Sequence, residues 1–419
     1  MKKIGLTGWI LIAMGAGVVM GLWVHYTVSA AGKQSFSEGC SVVTDVFLRL
    51  IKMIIAPLVF STLVVGIAKL GDIKAVGRIG GKTLLWFVSA SLLSLLFGLL
   101  IMHVSQLGSQ LSLPLPPATA ATGIESGSLS FKNFITHVFP RSVVESMANN
   151  EILQIVVFSI FFGVATAAIG ETGKIVVRGL DAVAHVILKV TAYVMNFAPV
   201  AALAAIAAVV AVKGPELLIT YGKFIIVFYL SILGLWLLLM AISALFIGRK
   251  VLHLMGAVKD AVLLAFSTAS SEAAFPRLIV ELEKFGCPPK IVSFVLPLGY
   301  SFNLDGSMLY MTFASLFIAQ AYGMHMGFGQ EITMLLVLML TSKGIAGVPR
   351  ASLVVIAGTL SLFNIPQQGL LLLVGIDQVL DMARSATNVV GNSIAAVVVS
   401  KWEGELGERE AEEDAAMRA

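Results

Sequence analysis

The chain has 419 residues, 58% of them hydrophobic and only 12% charged. Soluble domains carry about 25% charged residues, so this composition excludes a water-soluble globular protein and points to an integral membrane one. A net charge of +4 gives no sign of nucleic-acid binding, and Cys40, Cys287 and six singly scattered histidines offer neither a disulfide framework nor metal-ligand spacing, so no cofactor is expected.

The first apolar run, "MKKIGLTGWILIAMGAGVVMGLWV", exceeds the roughly 7–15 residues of a signal-peptide core and reads as a retained span over 7–28. Further runs long enough to cross a bilayer fall at 43–70, 83–106, 151–170, 180–212 and 222–248. Residues 107–150, with "LPLPPATAATGIESGS", read as an external loop. Past residue 250 the apolar stretches are interrupted by Ser, Gly, Pro and charged clusters at 266–277, 297–307, 341–352 and 377–392. The tail "EGELGEREAEEDAAMRA" reads as a solvated helix or a disordered segment. Basic residues fall at alternate loops: Lys2 and Lys3; Lys69, Lys74, Arg78 and Lys82; Lys174 and Arg178; Arg249, Lys250 and Lys259; then Lys401. The positive-inside rule then places both termini in the cytoplasm.

The interrupted second half carries the functional signal. Within lipid, non-helical backbone is tolerated only where it is buried in protein or lines a wet cavity. Two hairpin-like breaks, "FSTASSEAAFP" (266–276) and "TSKGIAGVPRAS" (341–352), are each followed by a polar segment, "PLGYSFNLDGS" (297–307) and "DMARSATNVVGN" (381–392). Paired broken segments in corresponding positions are the sequence mark of a secondary transporter's binding site. An ordinary bundle with Gly/Pro kinks would not require clustered Asp, Arg and Asn.

At about 100° per residue, Asp377, Asp381, Arg384, Asn388 and Asn392 fall within roughly 80° of one helical face. Charges inside a membrane are costly unless paired or wet, and mark ligand pathways. Either acid can reach Arg384 along the helix. One reading is a satisfied ion pair locking helices together. The functional reading makes Arg384 a fork for a carboxylate, oriented by Asp377, with Asp381 left free for a cation such as an α-amino group. A site with both signs suits an amino acid bearing an extra carboxylate.

The other clusters fit such a ligand. Ser270 and Ser271 sit at a hairpin tip, where hydroxyls and backbone N–H groups can hold a carboxylate. "GIAGVP" (344–349) offers flexible backbone, as a gate needs, and "SFNLDGS" sets Ser301, Asn303, Asp305 and Ser307 in an unwound stretch whose carbonyls could coordinate a cation. The competing classes are an intramembrane hydrolase using Ser270 or Ser271, which needs a base within hydrogen-bond reach, and a passive ion channel, which the clustered Asp and Arg disfavour. The chain is expected not to be an enzyme.

Taken together, "LRLIKMIIAPLVFSTLVVGIA" (48–68), "EILQIVVFSIFFGVA" (151–165), "SSEAAFP", "GYSFNLDGSMLY" (299–310), "GIAGVP" and "DMARSATNVVGN" resemble the dicarboxylate/amino acid:cation symporters, the glutamate transporter family, over nearly the whole chain. The resemblance implies an all-α integral membrane fold with inverted repeats: eight transmembrane helices plus two re-entrant hairpins, assembled as a homotrimer in lipid and working as an elevator. It places scaffold helices one and two at 1–76 and helix three of a transport domain at 77–108. The external loop and scaffold helices four and five follow at 109–215, the rest of the transport domain at 216–402 and a charged cytoplasmic tail at 403–419.

The resemblance also implies roles. Arg384 would bind the substrate's side-chain carboxylate and Asp381 its amino group. Asn388, Ser270, Ser271, Ser307 and Ser385 would complete the site, with Val348 in the second hairpin's gate and Asp377 steadying Arg384. The family's C4-dicarboxylate branch lacks the amino-binding aspartate, so Asp381 favours L-glutamate or L-aspartate, imported across a bacterial inner membrane. Sodium-driven members carry a carboxylate at the position of Asn392, and Tyr and Thr at those of Phe87 and Ala90. Ser91, Asn303 and Asp305 remain, a depleted set, so proton coupling is expected, with sodium at Asn303, Asp305 and Asn392 as the alternative. Glu272 and Asp305 are the candidate proton carriers, since burial favours a neutral carboxyl. The glutamate that animal members carry in helix seven is Met311 here.

Overall fold

The computed structural model describes residues 6–70, 73–109, 115, 138–214, 221–342, 351–374 and 376–407, and all regular structure among them is helical. In chain order the first helices are α1 (Leu6–Thr27), α2 (Ala30–Leu70), α3 (Ile73–Ser105), α4 (Val143–Ala148) and α5 (Ile152–Ala168). Next come α6 (Gly173–Met195), α7 (Ala198–Lys213), α8 (Gly222–Ile247), α9 (Lys250–Thr268) and α10 (Ser271–Lys284). The last are α11 (Pro289–Phe302), α12 (Asp305–Ala321), α13 (Phe328–Thr341), α14 (Ala351–Leu362), α15 (Leu371–Val374) and α16 (Asp377–Trp402).

Among the described residues, α1, α2, α3, α8 and α9 are each long and apolar enough to cross a membrane, and α6 with α7 adds a bent pair. The protein is therefore a multi-pass membrane protein. The run 180–212, expected as one span, is this pair: it starts earlier, at Gly173, and turns by 49° at Asn196–Phe197. Pro199 explains the break. Its ring would collide with the carbonyl four residues back, and that residue is Met195, the last of α6.

Packing follows from which faces are apolar. α1 lies along α7, and α2 packs on α5, α6 and α7. α16 sits at the centre of the remaining helices, touching α3, α8, α9, α10, α11 and α12. Every residue from Met382 to Ser400 is buried, so the polar face of α16 looks into protein.

Two breaks position the site. α9 ends at Ala269, left-handed with φ 49°, and Ser270 at once caps α10, its hydroxyl accepting the Ala273 N–H at 3.3 Å. The Ser270 N–H returns to the Ala265 carbonyl at 3.1 Å, closing a Schellman-type stop. The unwound stretch in "SFNLDGS" is shorter than expected: only Asn303 and Leu304 leave the helix, while Ser301 belongs to α11, and Asp305 and Ser307 to α12. "DMARSATNVVGN" causes no break at all; α16 runs through it.

The tail also departs from expectation over its described part. Arg78 and Lys82 of α3 both bind Glu403 at 2.7 Å, Lys290 binds Glu405 at 2.7 Å, and the Gly407 N–H donates to the Gly286 carbonyl at 3.0 Å. Residues 403–407 are thus tied down. "GIAGVP" with Val348, most of 107–150 and the end of the tail lie outside the described residues.

Candidate functional site

The polar face of α16 meets the start of α12 at very close range. A Cβ on Gly306 would fall 2.3 Å from the Arg384 carbonyl oxygen, so only glycine allows the two backbones to lie this near. That approach lets α16 side chains serve the first turn of α12, whose N–H groups have no partner within their own helix. Asn388 Oδ1 accepts the N–H groups of Gly306 at 3.0 Å and Ser307 at 3.3 Å, and its Nδ2 donates to the Ser307 hydroxyl at 3.3 Å. Asn388 and Ser307, expected to complete a substrate site, are thus bonded to each other first.

Arg384 is the charged centre, with only 5% of its side chain exposed. Its Nε donates to Asp381 Oδ1 at 2.9 Å and its Nη2 lies 2.7 Å from the same oxygen. Asp377 is the more distant acid, 3.7 Å from Nη1. This reverses the expected division of labour. Asp381 does not stand free, and the Ser385 hydroxyl also donates to it at 3.2 Å. Asp377 is occupied by the Tyr310 hydroxyl at 2.9 Å, and the guanidinium stacks over the Tyr310 ring at 4.5 Å.

Two features mark the group as more than a closed ion pair. Among the described residues, buried Arg384 Nη1 has no hydrogen-bond partner. The Asp381 side chain keeps 27% of its surface exposed. An unsatisfied fork donor beside a partly accessible carboxylate is an arrangement that a ligand with both charges would complete.

Below this lies a second polar group. Asn303 Nδ2 donates to Asn392 Oδ1 at 3.2 Å, leaving Asn303 Oδ1 and Asn392 Nδ2 without partners among the described residues. Asp305 is fully buried and accepts the Ser94 hydroxyl at 3.2 Å; Ser91 donates to the Phe302 carbonyl at 3.3 Å. Phe87 and Ala90 are buried on the same side of α3 and bring no oxygen. No group of three His, Cys, Asp or Glu side chains fit to hold a metal occurs among the described residues.

Ser270 and Ser271 lie at the hairpin tip between α9 and α10. Ser270 uses its hydroxyl as a cap, Ser271 lends its carbonyl to the Tyr300 hydroxyl at 2.9 Å, and Glu272 interacts electrostatically with Lys52 of α2. Sequence reasoning missed Tyr310 and Ser94. Tyr310 closes the quoted motif "GYSFNLDGSMLY", and a hydroxyl-bearing ring in a wholly buried helix needs a partner; that was the available signal. Ser94 had none beyond its position one turn past Ala90.

The sodium:dicarboxylate symporter family matches residues 6–402 of the chain. A proton/sodium-glutamate symport protein of Bacillus caldotenax is 42% identical over 413 residues, 97% of each chain. A proton/glutamate-aspartate symporter of Escherichia coli K12 is 41% identical over 417 residues, 98% of this chain and 95% of that one. A C4-dicarboxylate transport protein of Rhizobium leguminosarum is 39% identical over 402 residues, 95% and 88% respectively. These relatives are transporters, and the hydrolase reading of Ser270 and Ser271 is withdrawn. With a match spanning every element of the site, the chain is a secondary symporter and belongs to the sodium:dicarboxylate symporter family.

Proposed function

We propose that the protein imports acidic amino acids, L-glutamate or L-aspartate, together with protons. The observation that carries the substrate is the Arg384–Asp381 pair with its spare Nη1 donor. An acidic amino acid divides that pair. Its side-chain carboxylate takes the guanidinium fork and its ammonium takes Asp381, so both charges stay compensated. A plain dicarboxylate would draw Arg384 away and leave the half-buried Asp381 without a countercharge. Relatives named for glutamate and aspartate support the same reading.

Proton coupling rests on the lower group. Sodium prefers several hard oxygens, and the amide Asn392 with apolar Phe87 and Ala90 supplies few. Asp305 and Glu272 are the proposed carriers. In the full reading, α1, α2 and α5–α7 form a trimerising scaffold. The helices around α16 form the moving transport unit, Val348 belongs to its gate, and both termini face the cytoplasm of a bacterial inner membrane.

The test is uptake of radiolabelled glutamate into proteoliposomes under separately imposed gradients. Uptake should follow an inward proton gradient without sodium and be competed by aspartate well before succinate. Dependence on sodium with indifference to pH would overturn the coupling; equal competition by succinate would overturn the substrate.

A further inference from the structure

On the other side of α16 from the charged group, α1, α8, α9 and α16 enclose a crevice of about 710 Å³. Leu11, Trp236, Leu252, Phe266 and Ala386 are among its walls, and Lys259 is the single charged lining residue among the described residues. The two polar rings beside it face away in chemistry: Trp236 Nε1 donates to Thr387 Oγ1 at 2.9 Å and the Tyr229 hydroxyl to the Val379 carbonyl at 2.7 Å. What remains toward the crevice is hydrocarbon. Water needs two to four polar partners to occupy such a space, and these walls do not supply them.

Length and charge narrow the occupant. From Lys259 to Phe266 along α9 is about 11 Å at 1.5 Å per residue, most of the roughly 15 Å of one bilayer leaflet's hydrocarbon. Lys259 lies within α9, a helix apolar enough for the membrane. A lysine there calls for a countercharge or water. Among the described residues no acid provides one, since the adjacent Asp260 is engaged by Arg277 at 3.3 Å. Lys259 is nonetheless exposed. A partner with an apolar chain and a negative head satisfies the walls and the lysine together.

We propose that this crevice binds one acyl chain of an anionic phospholipid whose headgroup is held by Lys259. The proposal depends on the membrane placement and not on the substrate or coupling ion.

The test uses the full chain in phosphatidylcholine vesicles containing a trace of photoactivatable lipid, either phosphatidylglycerol or phosphatidylcholine, with the reactive group on the acyl chain. Peptides from Leu252–Phe266 and from Trp236–Met240 should be labelled about fivefold more by phosphatidylglycerol, the worth of one lysine on an anionic headgroup. Lys259→Gln should erase the excess and Lys259→Arg should keep it. Leu233→Trp, which fills the crevice, should lower labelling by both lipids. Equal labelling of the unaltered protein by the two lipids would overturn the proposal, as would an excess that survives Lys259→Gln. Labelling spread evenly over α1 and α8, or crosslinks to a second copy of the chain, would overturn it too.

Discussion

At the scale of single residues, Arg384 sits between two acids of unequal reach, 2.7 Å to Asp381 and 3.7 Å to Asp377. Removing it leaves the buried Asp377 and the half-buried Asp381 without a cation, so Arg384→Ala should abolish acidic-substrate uptake; uptake near the unaltered level would refute its role. Asp381→Asn keeps the size but loses the charge that receives an ammonium. It should depress amino-acid uptake far more than dicarboxylate uptake, read as a shift in the ratio of the two initial rates. Tyr310→Phe keeps the ring under the guanidinium and deletes the donor to Asp377. Leaving a buried acceptor unsatisfied costs about 1–3 kcal/mol, so thermal stability should fall while the substrate KM rises. An unchanged KM would make Tyr310 purely structural. The charged face of α16 was legible from spacing alone, because a helix converts the intervals between residues 377, 381, 384, 388 and 392 into one stripe. Which acid is nearer was not, because it depends on Tyr310 reaching across from α12, a contact between residues 67 apart.

At the scale of elements, the hairpin stop at Ala269 is a local conflict. An L-residue held left-handed costs roughly 1–2 kcal/mol, and glycine relieves that while gaining freedom in the unfolded chain. Ala269→Gly should therefore stabilise the detergent-solubilised protein by up to about 1 kcal/mol, and a lowered melting temperature would show that the Ala269 methyl packs usefully. Proline marks how far element boundaries could be read. Pro57, Pro276 and Pro297 lie inside α2, α10 and α11 without ending them, whereas Pro199 coincides with the α6–α7 bend. The residue is the same in each case; whether neighbouring helices accommodate the lost hydrogen bond decides the outcome, and sequence does not display neighbours. The break in "SFNLDGS" was visible from its composition. Its narrowing to Asn303 and Leu304 follows from Asn388 capping α12 from another helix.

At the scale of the molecule, the segment after α16 returns to brace the start of α3. Hydrogen bonds from Arg78 foremost, with Lys82 beside it, hold the Glu403 carboxyl below its ordinary value of 4.5. A carboxyl depressed in the folded state stabilises only while ionised. The contribution is complete above that ordinary value and fades as pH falls through the lower folded one. Glu403→Gln should therefore lower the melting temperature at pH 7, by the equivalent of under about 1 kcal/mol because Arg78 is solvent-facing. The gap should close in acid; one that persists unchanged would assign the effect to packing. The helices also differ in how they meet the bilayer. α8, with 26 residues, is about 39 Å long, near the roughly 30 Å hydrocarbon slab. α2, with 41 residues, is a mast of about 62 Å, and even at a slant of about 40° some fifteen residues, by that same arithmetic, stand clear of the oil. Its leading turns, "GKQSFSEG", are hydrophilic enough to stay wet. Swelling or thinning the surrounding lipid will therefore squeeze α8, while α2 can lean or ride up by a turn with nothing greasy stranded in water.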